Sequence, residues 1–122
     1  MDDGNTHSGI RARYTILDED KVPFQAWRSK SSAILDDADC LEICDGTEAT
    51  PETVEPDIDD AGFILNDDEL EEHAKEMRDF NKRKKKAAIL IMSLVSDNIA
   101  ASLEKDRRDP KKMWEKLHED YD

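Results

Sequence analysis

The chain carries almost nothing with which to do chemistry. Its serines, histidines and cysteines never cluster, and it has no Gly-x-Ser-x-Gly, no phosphate loop and no His-Glu-x-x-His. An enzyme is therefore not expected. Cysteine is scarce: Cys40 and Cys44 are the only two, one helical turn apart. A structural zinc would need two further ligands, and no second pair exists. His73 is remote in sequence, His7 falls in a tail, and His118 sits on a charged helix. The cysteines read as two free thiols on a small helix in a reducing compartment. Long apolar runs are missing as well. The longest, residues 87–92, is far too short to span a bilayer. The N-terminus MDDGNTHSGI is polar and acidic, unlike a signal peptide. The expected location is cytoplasmic, with no membrane partner, no cofactor, no metal and no small-molecule substrate.

What is abundant is charge. Of 122 residues, 40% are charged and the formal net charge is −13, which leaves few side chains for a core. That length suits one small domain. The acid is unevenly placed. Residues 1–79 hold 23 acidic and 7 basic side chains, a balance of −16, whereas residues 80–122 hold 8 and 11, a balance of +3. Nucleic acid wrapped over the whole surface is thereby excluded, and contact between copies of the chain is favoured.

The apolar residues that remain are spaced for helices. Phe80, Ala87, Ile91 and Leu94 recur at sums of three and four, as do Ile99 and Leu103, and then Met113, Trp114, Leu117 and Tyr121. No such helix is stable alone, so each face must be buried against another. Asp109-Pro110 opens the last helix, with Asp at the N-cap and Pro at the first helical position. Upstream, residues 1–14 read as a disordered tail. Thr15-Ile16-Leu17 is a short segment able to lie extended along a groove. A first helix is predicted from Lys21 to Pro23 onward, with Phe24, Trp27, Ser31, Ile34, Leu35 and Ala38 as its stripe. Leu41 and Ile43 make a separate short helix stopped at Gly46. Residues 47–65 form an acidic linker, read as a solvated loop, disordered or nearly so, whose one apolar cluster, Phe63-Ile64-Leu65, is expected to dock on the bundle. Asn66 is placed to cap a helix of residues 67–95, with Glu69 completing a capping box. Asp97 is placed to cap a short helix ending near Lys105. The fold class is all-α: a bundle of four or five helices over residues 15–122. Its core is expected to include Trp27, Phe80, Ile91, Leu94, Trp114, Leu117 and Tyr121, with no catalytic residue.

Two patterns hint at ligands. Lys82, Arg83, Lys84, Lys85 and Lys86 form the only basic run. Five consecutive helical positions point around most of the circumference, so a solvated face competes with a nucleic-acid contact or import signal. No aromatic side chain is interleaved for base stacking. Asp57, Asp59 and Asp60 begin like a calcium loop, but Asp68 stands where the bidentate Glu belongs at the twelfth position, so a solvated acidic linker is expected.

Taken in order, the residues suggest a family. Trp27, Leu35, Leu41-x-Ile43, Gly46 and Pro51 come first. After an acidic insert come Phe80, Lys84, Ala87-Ala88-x-Leu90-Ile91, Ser93-Leu94, Asp97 and Ile99, and last Trp114-Glu115-x-Leu117-x-x-x-Tyr121. Over residues 16–122 this resembles the N-terminal Gag region of copia-type LTR retrotransposons. The family often has Trp where Phe80 stands and usually opens its last helix with Thr-Ala rather than Asp109-Pro110. Its insert is shorter and less acidic than residues 47–62, and its members continue beyond Tyr121-Asp122 to further helices and a CCHC zinc knuckle. A truncated or degenerate copy is thus expected. The resemblance implies a structural role: self-association of the chain into virus-like particles around the element's RNA, with residues 82–86 at most assisting RNA capture. The competing reading is a helical adaptor that binds a protein or nucleic acid through that basic run.

Overall fold

The computed structural model describes residues 16–18 and 23–122. The expected tail of residues 1–14 and the expected helix start at Lys21 lie outside the described residues. Among the described residues five α-helices follow in order: α1 Phe24–Asp37, α2 Leu41–Asp45, α3 Asp67–Ser93, α4 Asp97–Leu103 and α5 Pro110–Tyr121. A 3-10 turn, Glu104–Asp106, extends α4. Among the described residues there are no strands, only two isolated β-bridges. The fold is a small all-α bundle in which α5 packs on both α2 and α3, and α1 lies against the same pair.

Each helix forms where local chemistry favours it. Pro23 precedes α1 as its N-cap rather than occupying its first turn, and the α1 stripe buries Phe24, Trp27, Ser31 and Leu35. Asp39 takes a positive φ of 59° between α1 and α2, a conformation Asp tolerates better than most residues. Gly46 ends α2 with φ 86°, where a Cβ would also meet Lys111 Cε at 2.8 Å. Asp109 caps α5 by accepting from Lys112 N at 3.1 Å, with Pro110 next to it.

Two capping expectations are corrected. Asn66 makes no cap with its side chain. Its amide is engaged by the preceding loop: Asp57 N donates to Oδ1 at 2.8 Å, and Nδ2 donates to Glu55 O at 2.9 Å. The cap of α4 is Ser96 rather than Asp97, because the Ser96 hydroxyl accepts from Ile99 N at 3.3 Å.

The core brings together Trp27, Leu35, Ile91, Leu94, Val95, Ile99, Leu103, Met113, Trp114 and Leu117. Trp27 is fully buried, and its ring centroid lies 5.7 Å from that of Trp114. Phe80 is buried but stands outside this main cluster, lining a small cavity with Ile43 and Pro110. Tyr121 is only half-buried, packed on the cluster's edge. Leu17 reaches the core from the N-terminal side as a parallel bridge partner of Val95. Leu17 N donates to Leu94 O at 2.9 Å and Ser96 N donates to Leu17 O at 2.8 Å, so residues 16–18 lie extended along the end of α3.

Candidate interaction surface

The aromatic side chains at the centre of the bundle pack on one another. Phe24, Trp27, Trp114 and His118 contact one another, with His118 edge-on to Phe24 at 5.1 Å and 5.0 Å from the Trp114 ring. His118 Nδ1 donates to Trp114 O at 2.8 Å within α5, which turns the ring onto these aromatics. The sequence places His118 among charges, yet its spacing from Trp114 puts it beside the indole. Both cysteines are free and buried. Burial raises the Cys40 thiol and pushes Cys44 up to about 12, so both stay protonated near neutral pH.

The basic run divides. Lys82, Lys85 and Lys86 are exposed, and Lys84 is half-buried. Arg83 differs from its neighbours, because its guanidinium is engaged within the chain. Nη1 and Nη2 donate to the two Glu48 carboxylate oxygens at 2.7 and 2.5 Å, Nε donates to Asp79 at 3.0 Å, and Nη1 also reaches Asp39 O at 3.1 Å. This fork ties the linker to α3 and to the turn before α2. Hydrogen bonding from Arg83 holds the Glu48 carboxyl below its usual range, and the carboxylates hold Arg83 charged. The contribution of the pair is therefore complete above the unfolded Glu value of 4.5 and is lost as pH falls through the depressed folded value. Arg83→Met is expected to cost about 1–2 kcal/mol near neutral pH, and the loss should shrink in acid. Urea titrations between pH 3 and 7 check it; a pH-independent difference refutes it.

Residues 47–65 have no helix, but the segment of residues 57–65 has a defined shape. Asp59 N donates to Phe63 O at 2.9 Å and Leu65 N donates to Asp57 O at 2.7 Å, bracketing an antiparallel Ile58–Ile64 bridge. The Asp59 carboxylate accepts from Ala61 N and Phe63 N, both at 2.9 Å, and Gly62 turns with φ 88°. Asp59 thus serves its own backbone. Among the described residues no group of three or more His, Cys, Asp or Glu is placed to hold a metal. The expected docking of the apolar cluster is overturned. Phe63, Ile64 and Leu65 are 68%, 45% and 62% exposed, and Ile58 is 57% exposed. Ile58 and Ile64 are a non-hydrogen-bonded pair on one face, and alternation sends Phe63 and Leu65 to the other, so no single surface could cover all four.

On α3 a second uncovered feature appears. An open groove of about 700 Å³ is lined by Ala88, Ile89 and Met92 and by the cations Lys84, Lys85, Arg107 and Arg108. Ile89 is 58% exposed there. Arg107 and Arg108 lie in the connection between α4 and α5. The signal that could have found the groove is the spacing of Lys85, Ile89 and Met92, one helical face that misses the buried stripe of Ala87, Ile91 and Leu94. No helix among the described residues is long and apolar enough to cross a membrane. No family model matches the chain, and neither a curated protein nor a solved structure does.

Proposed function

We propose that this chain is a capsid-like Gag segment of a copia-type retrotransposon, working by self-association into virus-like particles. The observation that carries the reading is the set of large apolar side chains left uncovered, Ile58, Phe63, Ile64, Leu65 and Ile89, all on a chain of strongly uneven charge. Surfaces of this kind mark contact sites. The ordered residues behind the resemblance support it from the inside, since Trp27, Leu35, Ile91, Leu94, Ile99, Trp114 and Leu117 are core residues. On this reading the chain is no enzyme, acts in the cytoplasm and meets the element's RNA weakly. Light scattering over a concentration series tests it. Mass should rise with concentration, and a constant monomer mass refutes the reading.

A helical adaptor that binds nucleic acid is the second reading. Lys82, Lys85 and Lys86 are exposed on α3, which favours it. It requires salt-sensitive RNA binding that disappears when these three lysines are neutralised.

A further inference from the structure

The two uncovered features are opposite in charge, and each carries exposed apolar side chains. The hairpin of residues 57–65 is flanked by Glu55, Asp57, Asp59, Asp60, Asp67 and Asp68, with no base from residue 55 to residue 68. The groove on α3 is lined by four cations and no carboxylate, over an apolar surface. Arg107 pairs with Glu104 at 2.8 Å, but both are exposed, so this contact is easily exchanged. Neither Lys85 nor Arg108 has an ion-pair partner among the described residues.

The hairpin cannot enter its own groove. It sits before Asp67, at the start of α3, whereas the groove is centred on Ala88. At about 1.5 Å per helical residue these points are roughly 30 Å apart along an unbroken rod. Donor and acceptor are held at opposite ends of one rigid element.

We propose that the acidic hairpin of one copy docks in the cationic groove on α3 of a second copy, placing Phe63 and Leu65 against Ile89 and Met92. The proposal rests on the self-association reading and gives it a surface. The contact is heterologous: each copy offers a hairpin at one end and a groove at the other. Such contacts close into rings or propagate from copy to copy. A hairpin tip buries less than a standard interface, so each contact is weak and assembly is steep in concentration. Salt weakens it by screening the charges that align the two partners.

Two variants test this, both at exposed positions that leave the core intact. The loop variant is Phe63→Asp with Leu65→Asp; the groove variant is Lys85→Glu with Ile89→Asp. Circular dichroism should show both folded. In sedimentation velocity each alone should need at least about tenfold higher concentration than wild type to associate. Mixed together they should form a heterodimer and stop there, because the mixture offers one intact hairpin and one intact groove per pair. If wild type associates and neither variant weakens it, the hairpin–groove contact is wrong while self-association stands. If wild type stays monomeric at every concentration, both fall. Protection of the groove by a single-stranded RNA oligonucleotide, with assembly unchanged in the loop variant, also overturns the proposal.

Discussion

Replacing Trp27 by alanine should cost about 3–5 kcal/mol of folding stability, a large share of the roughly 5–15 kcal/mol available to a domain of this size. The residue has no exposed surface and sits between Phe24, at a centroid distance of 5.6 Å, and Trp114, at 5.7 Å. Truncation leaves a cavity at the point where α1 meets α5, and helices also held together by Phe24 on His118 cannot collapse freely into it. The indole also donates from Nε1 to the Leu94 carbonyl at 2.8 Å, tying α1 to the end of α3. Trp27→Phe separates the two effects. It keeps most of the volume and removes the donor, and Leu94 O still accepts from Leu17 N, so no buried carbonyl is orphaned. The cost should then fall to about 1–2 kcal/mol. Trp114→Ala, at a site 6% exposed, should fall near the lower end of the alanine range. Chemical denaturation of the three variants checks the order. An unchanged midpoint for Trp27→Ala refutes the claim that this contact closes the bundle.

The helices and most of the core were legible in the sequence because a 3.6-residue period survives translation into three dimensions. Trp27, Leu35, Ile91, Leu94, Trp114 and Leu117 are spaced for burial and are buried. Asp109-Pro110 and Gly46 were legible for a different reason: their backbone chemistry admits few alternatives. What was not legible depends on which of several available partners a polar group selects. Asn66 had a helix N-terminus and a loop within reach and satisfied the loop. Ser96 took the cap that Asp97 could have taken. Arg83 looked like one cation among five until α3 turned it toward Glu48, 35 residues earlier in the chain. The groove had the weakest signature, because two of its four cations, Arg107 and Arg108, are brought beside α3 only by the turn after α4. The apolar hairpin misled in the opposite sense. Phe63, Ile64 and Leu65 are three successive apolar residues, and a hairpin that points them to both faces cannot bury them all within its own molecule.

The N-terminal segment should behave as a separable part of the fold, and Leu17 is where this can be measured. Leu17→Ala is expected to cost about 2–4 kcal/mol, since the side chain is 1% exposed within the main cluster. Leu17→Asp would be far worse if the segment had to stay in place, because a carboxylate would enter an apolar site without a partner. Two backbone hydrogen bonds and the buried Leu17 side chain bind the segment at the junction of α3 and α4. It can leave as a unit while the five helices keep their mutual contacts, which caps the cost of any substitution at what the segment contributes. The aspartate variant should therefore lie within about 1 kcal/mol of the alanine variant, with its helical circular dichroism retained. In both, the Ser96 amide loses Leu17 O and should exchange with solvent much faster, while the amide of Leu117 in the middle of α5 follows only the global change. Complete unfolding of Leu17→Asp beside a mild Leu17→Ala would show instead that residues 16–18 are integral to the bundle. Cysteine chemistry offers an independent reading of the same event. Cys44 is buried on α2, whereas residues 16–18 bond at the end of α3, so its protection from alkylation should persist when the segment detaches and vanish only when the bundle opens.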